Sequence, residues 1–181
     1  VAAEPVYRLL GKQGLGTDRM PVADPRLKAI VPIGPWGRQI GVWDAAGMAG
    51  LSVPALILAG SRDDVSGYDT GMRRIFAEAV GVTRHLLTFE GAGHNAAAPF
   101  PAPLESWAPV GWLPFVPFEH YADAVWDNVR MNNIAAHFVT AFLDVHLKGD
   151  AAKAAYLTED WLGFAEGSAR GLRLETLAKG A

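Results

Sequence analysis

Two short segments carry residue types that could do acid–base work. The first is Gly60-Ser61-Arg62-Asp63-Asp64-Val65; the second, whose His94 lies 31 residues beyond Asp63, is Gly91-Ala92-Gly93-His94-Asn95. A carboxylate bonded to an imidazole holds the ring in one tautomer and stabilises the cation that forms when the ring takes a proton. That pairing suits a nucleophilic hydrolase, with His94 as the general base and Asp63 or Asp64 behind it. The glycines before His94 allow the sharp turn needed to bring the ring back over a sheet edge. A third group, Gly34-Pro35-Trp36-Gly37, offers Trp36, which reads equally as a core residue or as a flat wall for a substrate.

Delivering these groups to one place is the task of a parallel α/β sheet, where reactive residues collect at the carboxyl ends of the strands. Each group follows a short apolar run bounded by turn residues: 27–33, 53–59 and 84–89. The second run is apolar on both faces, as in a strand buried within a sheet. Between the second and third, Met72, Ile75, Phe76 and Ala79 form one stripe of a helix over 68–80, so strand, helix and strand predict a parallel crossover. A longer helix is predicted over 129–148. Met131, Ile134, Ala135, Phe138, Phe142 and Val145 keep its 3.6 period, Asp127 and Asn128 are N-cap candidates, and Gly149 is the stop. Asp127, Asn128, Arg130, Asn132 and Asn133 read as a network at its N-terminus.

The rest is less regular. Residues 99–120 hold prolines at 99, 101, 103, 109, 114 and 117 among Phe100, Trp107, Trp112, Phe115 and Phe118, without periodic spacing. They read as a long loop, either a lid over the site or a segment packed on the sheet. Residues 1–23 read as irregular, and 151–181 as a tail with one short helix and an edge strand near 172–177. The fold class expected is α/β, in one incomplete domain over 1–181, with the acid- and histidine-bearing strands in 24–98.

At this level the chain resembles the C-terminal part of an α/β-hydrolase. Gly-x-x-Asp-x-Val after an apolar strand, followed by Gly-x-Gly-His, matches the acid and histidine steps of that fold's Ser, acid, His order. The segments 24–30, 126–128 and 137–143 are similar to the branch containing dienelactone hydrolases, platelet-activating-factor acetylhydrolases and bacterial polyester hydrolases. The resemblance spans about residues 24–148. It implies His94 as base and Asp63 as acid, since Val65 stands two places on; Asp64 is the alternative if the turn is one residue longer. It also implies a Trp such as Trp36 beside the substrate, a small or polymeric carboxylic ester as substrate, and no metal or organic cofactor. Gly-x-Ser-x-Gly does not occur in the chain, so the nucleophile and oxyanion hole are expected upstream of Val1, in an N-terminal half whose strands complete the sheet. The early strands being absent, an unpaired edge and an uncovered apolar face are expected.

Composition narrows the alternatives. Of 181 residues half are hydrophobic, 19% are charged and the formal net charge is −3, which gives no basic footprint for nucleic acid. Cysteine is absent, removing disulfides, thiolate metal sites and a Cys nucleophile within these residues. No apolar run approaches the roughly 20 residues that cross a bilayer. His85, His120, His137 and His146 have no partner at metal-ligand spacing. Two rivals stay open: a degenerate hydrolase or interaction module without catalysis, and a metallohydrolase using Asp63, Asp64 and His94. The compartment is not legible.

Overall fold

The computed structural model describes residues 24–98, 101–160, 163–165 and 167–181. The irregular segment 1–23 and residues 99 and 100 of the proline-rich loop lie outside them. A three-stranded mixed sheet forms the centre, in the order β1 (Ala55–Gly60), β2 (Arg84–Phe89), β3 (Leu172–Leu177). β1 and β2 are parallel, with Ala55 opposite Arg84 and Gly60 opposite Phe89; β3 pairs antiparallel to β2, with Leu172 opposite Phe89. The class is α/β, and the expectation of parallel strands holds for β1 and β2 only.

Alternation along the strands divides the core into two layers. Leu56 and Leu58 of β1, Leu87 and Phe89 of β2 and Leu174 of β3 face helix α3 (Asn128–Lys148), which meets them with Met131, Ile134, Ala135, Phe138 and Phe142. Ile57, Ala59 and Leu86 point the other way, onto Tyr68, Met72, Ile75 and Phe76. Helices therefore cover both faces of the sheet. Of the predicted stripe of α3, only Val145 is not fully buried. Asp127 accepts from Arg130 N at 2.8 Å and Gly149 closes the other end with φ 72°, as the cap residues predict.

Three elements depart from the expectations. The run 27–33 is not a strand but two isolated parallel bridges, Ile30 to Ala55 and Ile33 to Leu58. The reason is Pro32. Ile30 N bonds to Pro54 O, Leu56 N to Ile30 O, Leu58 N to Pro32 O and Gly34 N to Leu58 O, but the position between them has no N–H to give. The helix predicted over 68–80 opens as a wide π-turn, Tyr68–Met72, with Met72 N bonded to Gly67 O, and only then becomes α2 (Arg73–Glu78). Asp69, Thr70 and Gly71 are weak helix formers and give the first turn little reason to be α. A short helix not predicted, α1 (Ala45–Ala49), is capped by Asp44, which accepts from Gly47 N at 2.7 Å.

Polar groups also hold the sheet. Arg84 is wholly buried, and its guanidinium donates to five carbonyls: Phe76, Ala77, Val82, Ala178 and Ala181. It thereby closes the last turn of α2 against the segment after β3. Among the described residues no helix is long and apolar enough to cross a membrane. Leu27, Ile33, Trp36, Ile40 and Trp43, around and beyond the bridged segment, are each about half exposed.

Candidate active site at the ends of β1 and β2

The turn after β1 begins at Gly60, where the carbonyl of Gly93 would lie only 2.1 Å from an added Cβ. A side chain there would push the two strand ends apart, so glycine is what allows the turn after β2 to close over the turn after β1. Arg62 N donates to Ala92 O at 2.8 Å, and Gly91 N donates to Ser61 Oγ at 2.8 Å, so the two turns are stitched together.

This closure brings His94 onto Asp63. His94 Nδ1 lies 2.8 Å from Asp63 Oδ2, with the Asp63 side chain fully buried and that of His94 about one-third exposed. A carboxylate only accepts, so the bond fixes the ring proton on Nδ1 and leaves Nε2 to accept. The other carboxylate oxygen, Oδ1, accepts from Val65 N at 2.9 Å and Ser66 N at 2.7 Å. The acid is thus held by its own turn on one side and spends its second oxygen on the histidine. Among the described residues nothing hydrogen-bonds to His94 Nε2.

A third segment completes the wall. Ser66, itself buried, donates from Oγ to Gly34 O at 2.8 Å. Gly34 has φ 52°, and a Cβ there would stand 3.2 Å from His94 Cε1 and 3.6 Å from Asp63 Oδ2. The turn after the bridged segment therefore lies directly against the pair. Two residues on, Trp36 is 51% exposed, so it is not a core residue; its carbonyl accepts from the Trp43 indole at 3.1 Å.

The structure thus joins two of the three predicted groups by a hydrogen bond and sets the third beside them. Asp64 is exposed and makes no bond to the ring, so of the two candidate acids it is Asp63 that meets His94. Among the described residues no three His, Asp or Glu side chains converge to hold a metal ion, so Asp63, Asp64 and His94 are not assembled as ligands. Among the described residues the other histidines make no ion pair there. His85 Nδ1 meets Thr176 Oγ1 at 2.8 Å within the sheet, and burial, reinforced by the nearby His146, lowers its pKa to about 4. His120 packs edge-on to Phe115; burial lowers the pKa of both His137 and His146 on α3.

Of the five serines, Ser52 is exposed and precedes β1, at the end of the strand away from the site, and the other four are engaged elsewhere. The hydroxyls of Ser66, Ser106 and Ser168 donate to carbonyls and Ser61 receives Gly91 N, so none of the four approaches His94 Nε2 through a hydrogen bond. The proline-rich loop carries two 3-10 turns, Leu104–Trp107 and Pro117–His120, with Trp107 stacked on Phe118 at 3.6 Å and Leu104 and Trp112 more than four-fifths exposed. Sequence reading missed Asp123, whose Oδ2 accepts from Gly93 N at 2.7 Å, next to His94. Its position before Trp126 signals a local turn, whereas a partner thirty residues earlier leaves no trace in spacing. Against known proteins, no family model and no curated protein matches the chain.

Proposed function

We propose that this chain supplies the acid and the general base of a serine esterase of the α/β-hydrolase fold, with the nucleophile contributed by residues encoded before Val1. The observation that carries the reading is the bond between the buried Asp63 and the partly exposed His94: one oxygen saturated by backbone N–H groups, the other on Nδ1, and Nε2 available as an acceptor. In the reaction, Nε2 takes the proton of the serine hydroxyl as its oxygen attacks the ester carbonyl. It then returns the proton to the alkoxide that leaves, and repeats both transfers with water to release the acid. Asp63 keeps the ring oriented throughout and stabilises its cationic form. This chemistry needs no metal or organic cofactor. Trp36, half exposed beside Gly34, is the proposed wall for an apolar acyl or aromatic ester.

The test uses the polypeptide extended by whatever is encoded upstream of Val1. A fluorophosphonate probe should label one serine in the parent and fail to label the His94→Ala variant. A parent protein that folds and takes no label overturns the reading and favours a non-catalytic module; ester hydrolysis abolished by a chelator points instead to a metal-dependent hydrolase.

A further inference from the structure

The turn that carries His94 is held on both flanks by a distant segment. On one side, the Asp123 carboxylate accepts from Gly93 N through Oδ2 at 2.7 Å, and from Val125 N and Trp126 N through Oδ1 at 2.8 and 2.9 Å. One side chain therefore joins the residue before His94 to the turn that leads into α3. On the other side, the Asn95 carboxamide donates to Glu119 O at 2.6 Å and to Ala122 O at 3.0 Å. Two further ties bracket the same stretch. The Trp126 indole donates to Glu90 O at 2.8 Å, and Asn132 of α3 donates to Ala98 O at 2.8 Å.

We propose that Asp123 and Asn95 are positioning residues for His94, fixing the backbone from which its ring reaches Asp63. Neither hydrogen-bonds to the ring. Gly93 has no side chain to anchor itself, so its N–H bond to a carboxylate, a charge-assisted one, is the restraint immediately before His94. Asn95 supplies the matching restraint immediately after it. The segment they grip, 119–126, continues the proline-rich loop, so displacement of that loop is transmitted to the histidine. The importance of this for catalysis rests on the esterase reading above; the positioning itself does not.

The experiment follows the His94 Nδ1 proton by NMR in the histidine-labelled protein, together with any residues encoded upstream of Val1. Asp123→Ala removes the charge-assisted bond to Gly93 N along with those to Val125 N and Trp126 N, and should speed exchange of that proton with water by about tenfold or more, and Asn95→Ala by less. Asp123→Asn should recover part of the protection, because its single amide oxygen serves one of the two flanks. Asp127→Ala is the control, since Asp127 caps α3 without reaching the His94 turn. Unchanged exchange in folded Asp123→Ala overturns the proposal, as does an equal rise in Asp127→Ala, which would reflect a general loosening of α3. If Asp123→Ala does not fold, Asp123→Asn and Asn95→Ala decide it, and unchanged exchange in both overturns it. Fluorophosphonate labelling of the same variants should slow in step with the exchange. A parent that takes no label defeats the esterase reading while the exchange data still decide the positioning.

Discussion

Replacing Asp63 by Asn alters a single atom of the site and should reverse the polarity of the histidine. Two backbone donors, Val65 N and Ser66 N, point at the Oδ1 position. The new amide must set its oxygen there, because the flipped orientation turns an NH2 toward two N–H groups and leaves them unsatisfied. With about 1 kcal/mol for each neutral bond, the preference is about 2 kcal/mol, roughly a thirtyfold excess of one orientation. The amide nitrogen then faces His94 Nδ1, where only an acceptor is tolerated, so the ring proton moves to Nε2 and the base is lost. The fold should survive, destabilised by about 1–2 kcal/mol as charge-assisted bonds become neutral ones. Nitrogen-15 NMR of the labelled imidazole reads the tautomer directly. The parent should carry its proton on Nδ1 and the variant on Nε2; on the esterase reading proposed above, turnover of the extended polypeptide should fall about 10⁴-fold, as in triads whose acid is made neutral. A variant that keeps the Nδ1 proton while folded refutes the reasoning.

Three other outcomes follow from the same contacts. Ser66→Ala removes the part-buried bond to the Gly34 carbonyl inside the site and should lower stability by about 1 kcal/mol in urea melts, the net worth of one such bond. Arg84→Ala strips five carbonyls of their donor and opens a void against Phe76, so a loss of about 3 kcal/mol or more is expected, read from the shift in denaturant midpoint. His85 titrates near 6.5 when unfolded and at about 4 when folded, so the unfolded chain binds the extra proton between those values. Stability is therefore fully present above pH 6.5 and lost progressively as pH falls to about 4, by up to roughly 3 kcal/mol from this group. Melting of a His85→Gln variant should depend less steeply on pH across that window; an unchanged slope would show that other groups set it.

Much of the site was legible because its signals are local. β2 falls where Leu86, Leu87 and Phe89 lie between turn residues, and α3 where apolar side chains recur every three or four positions with Asp127 before them and Gly149 after. Asp63 and His94 follow strands, and two parallel neighbours bring their carboxyl ends together without further information. What was not legible depends on partners distant in sequence. Nothing in Leu172-Arg173-Leu174-Glu175-Thr176-Leu177 says that it runs antiparallel to β2. That orientation is accompanied by Arg73 paired with Glu175, and by Arg173 reaching both Glu90 and the Tyr68 hydroxyl. Asp123 went unnoticed for the same reason, its partner Gly93 lying thirty residues earlier. The choice between Asp63 and Asp64 depended on one residue of turn geometry; in the structure it is Asp63 that bonds to His94 Nδ1, while Asp64 is exposed.

The proline in the bridged segment has a directional effect on the sheet. Residues 30, 32 and 34 turn their peptide groups toward β1, so the N–H that Pro32 lacks is missing from the inner side alone. On the outer side the peptide groups of Ala29, Val31 and Ile33 are intact, and among the described residues they bond to no neighbour. β3 already occupies the opposite margin. A further strand laid along 29–33 would meet an uninterrupted row of donors and acceptors, so the sheet can be extended at this margin without a break in its ladder.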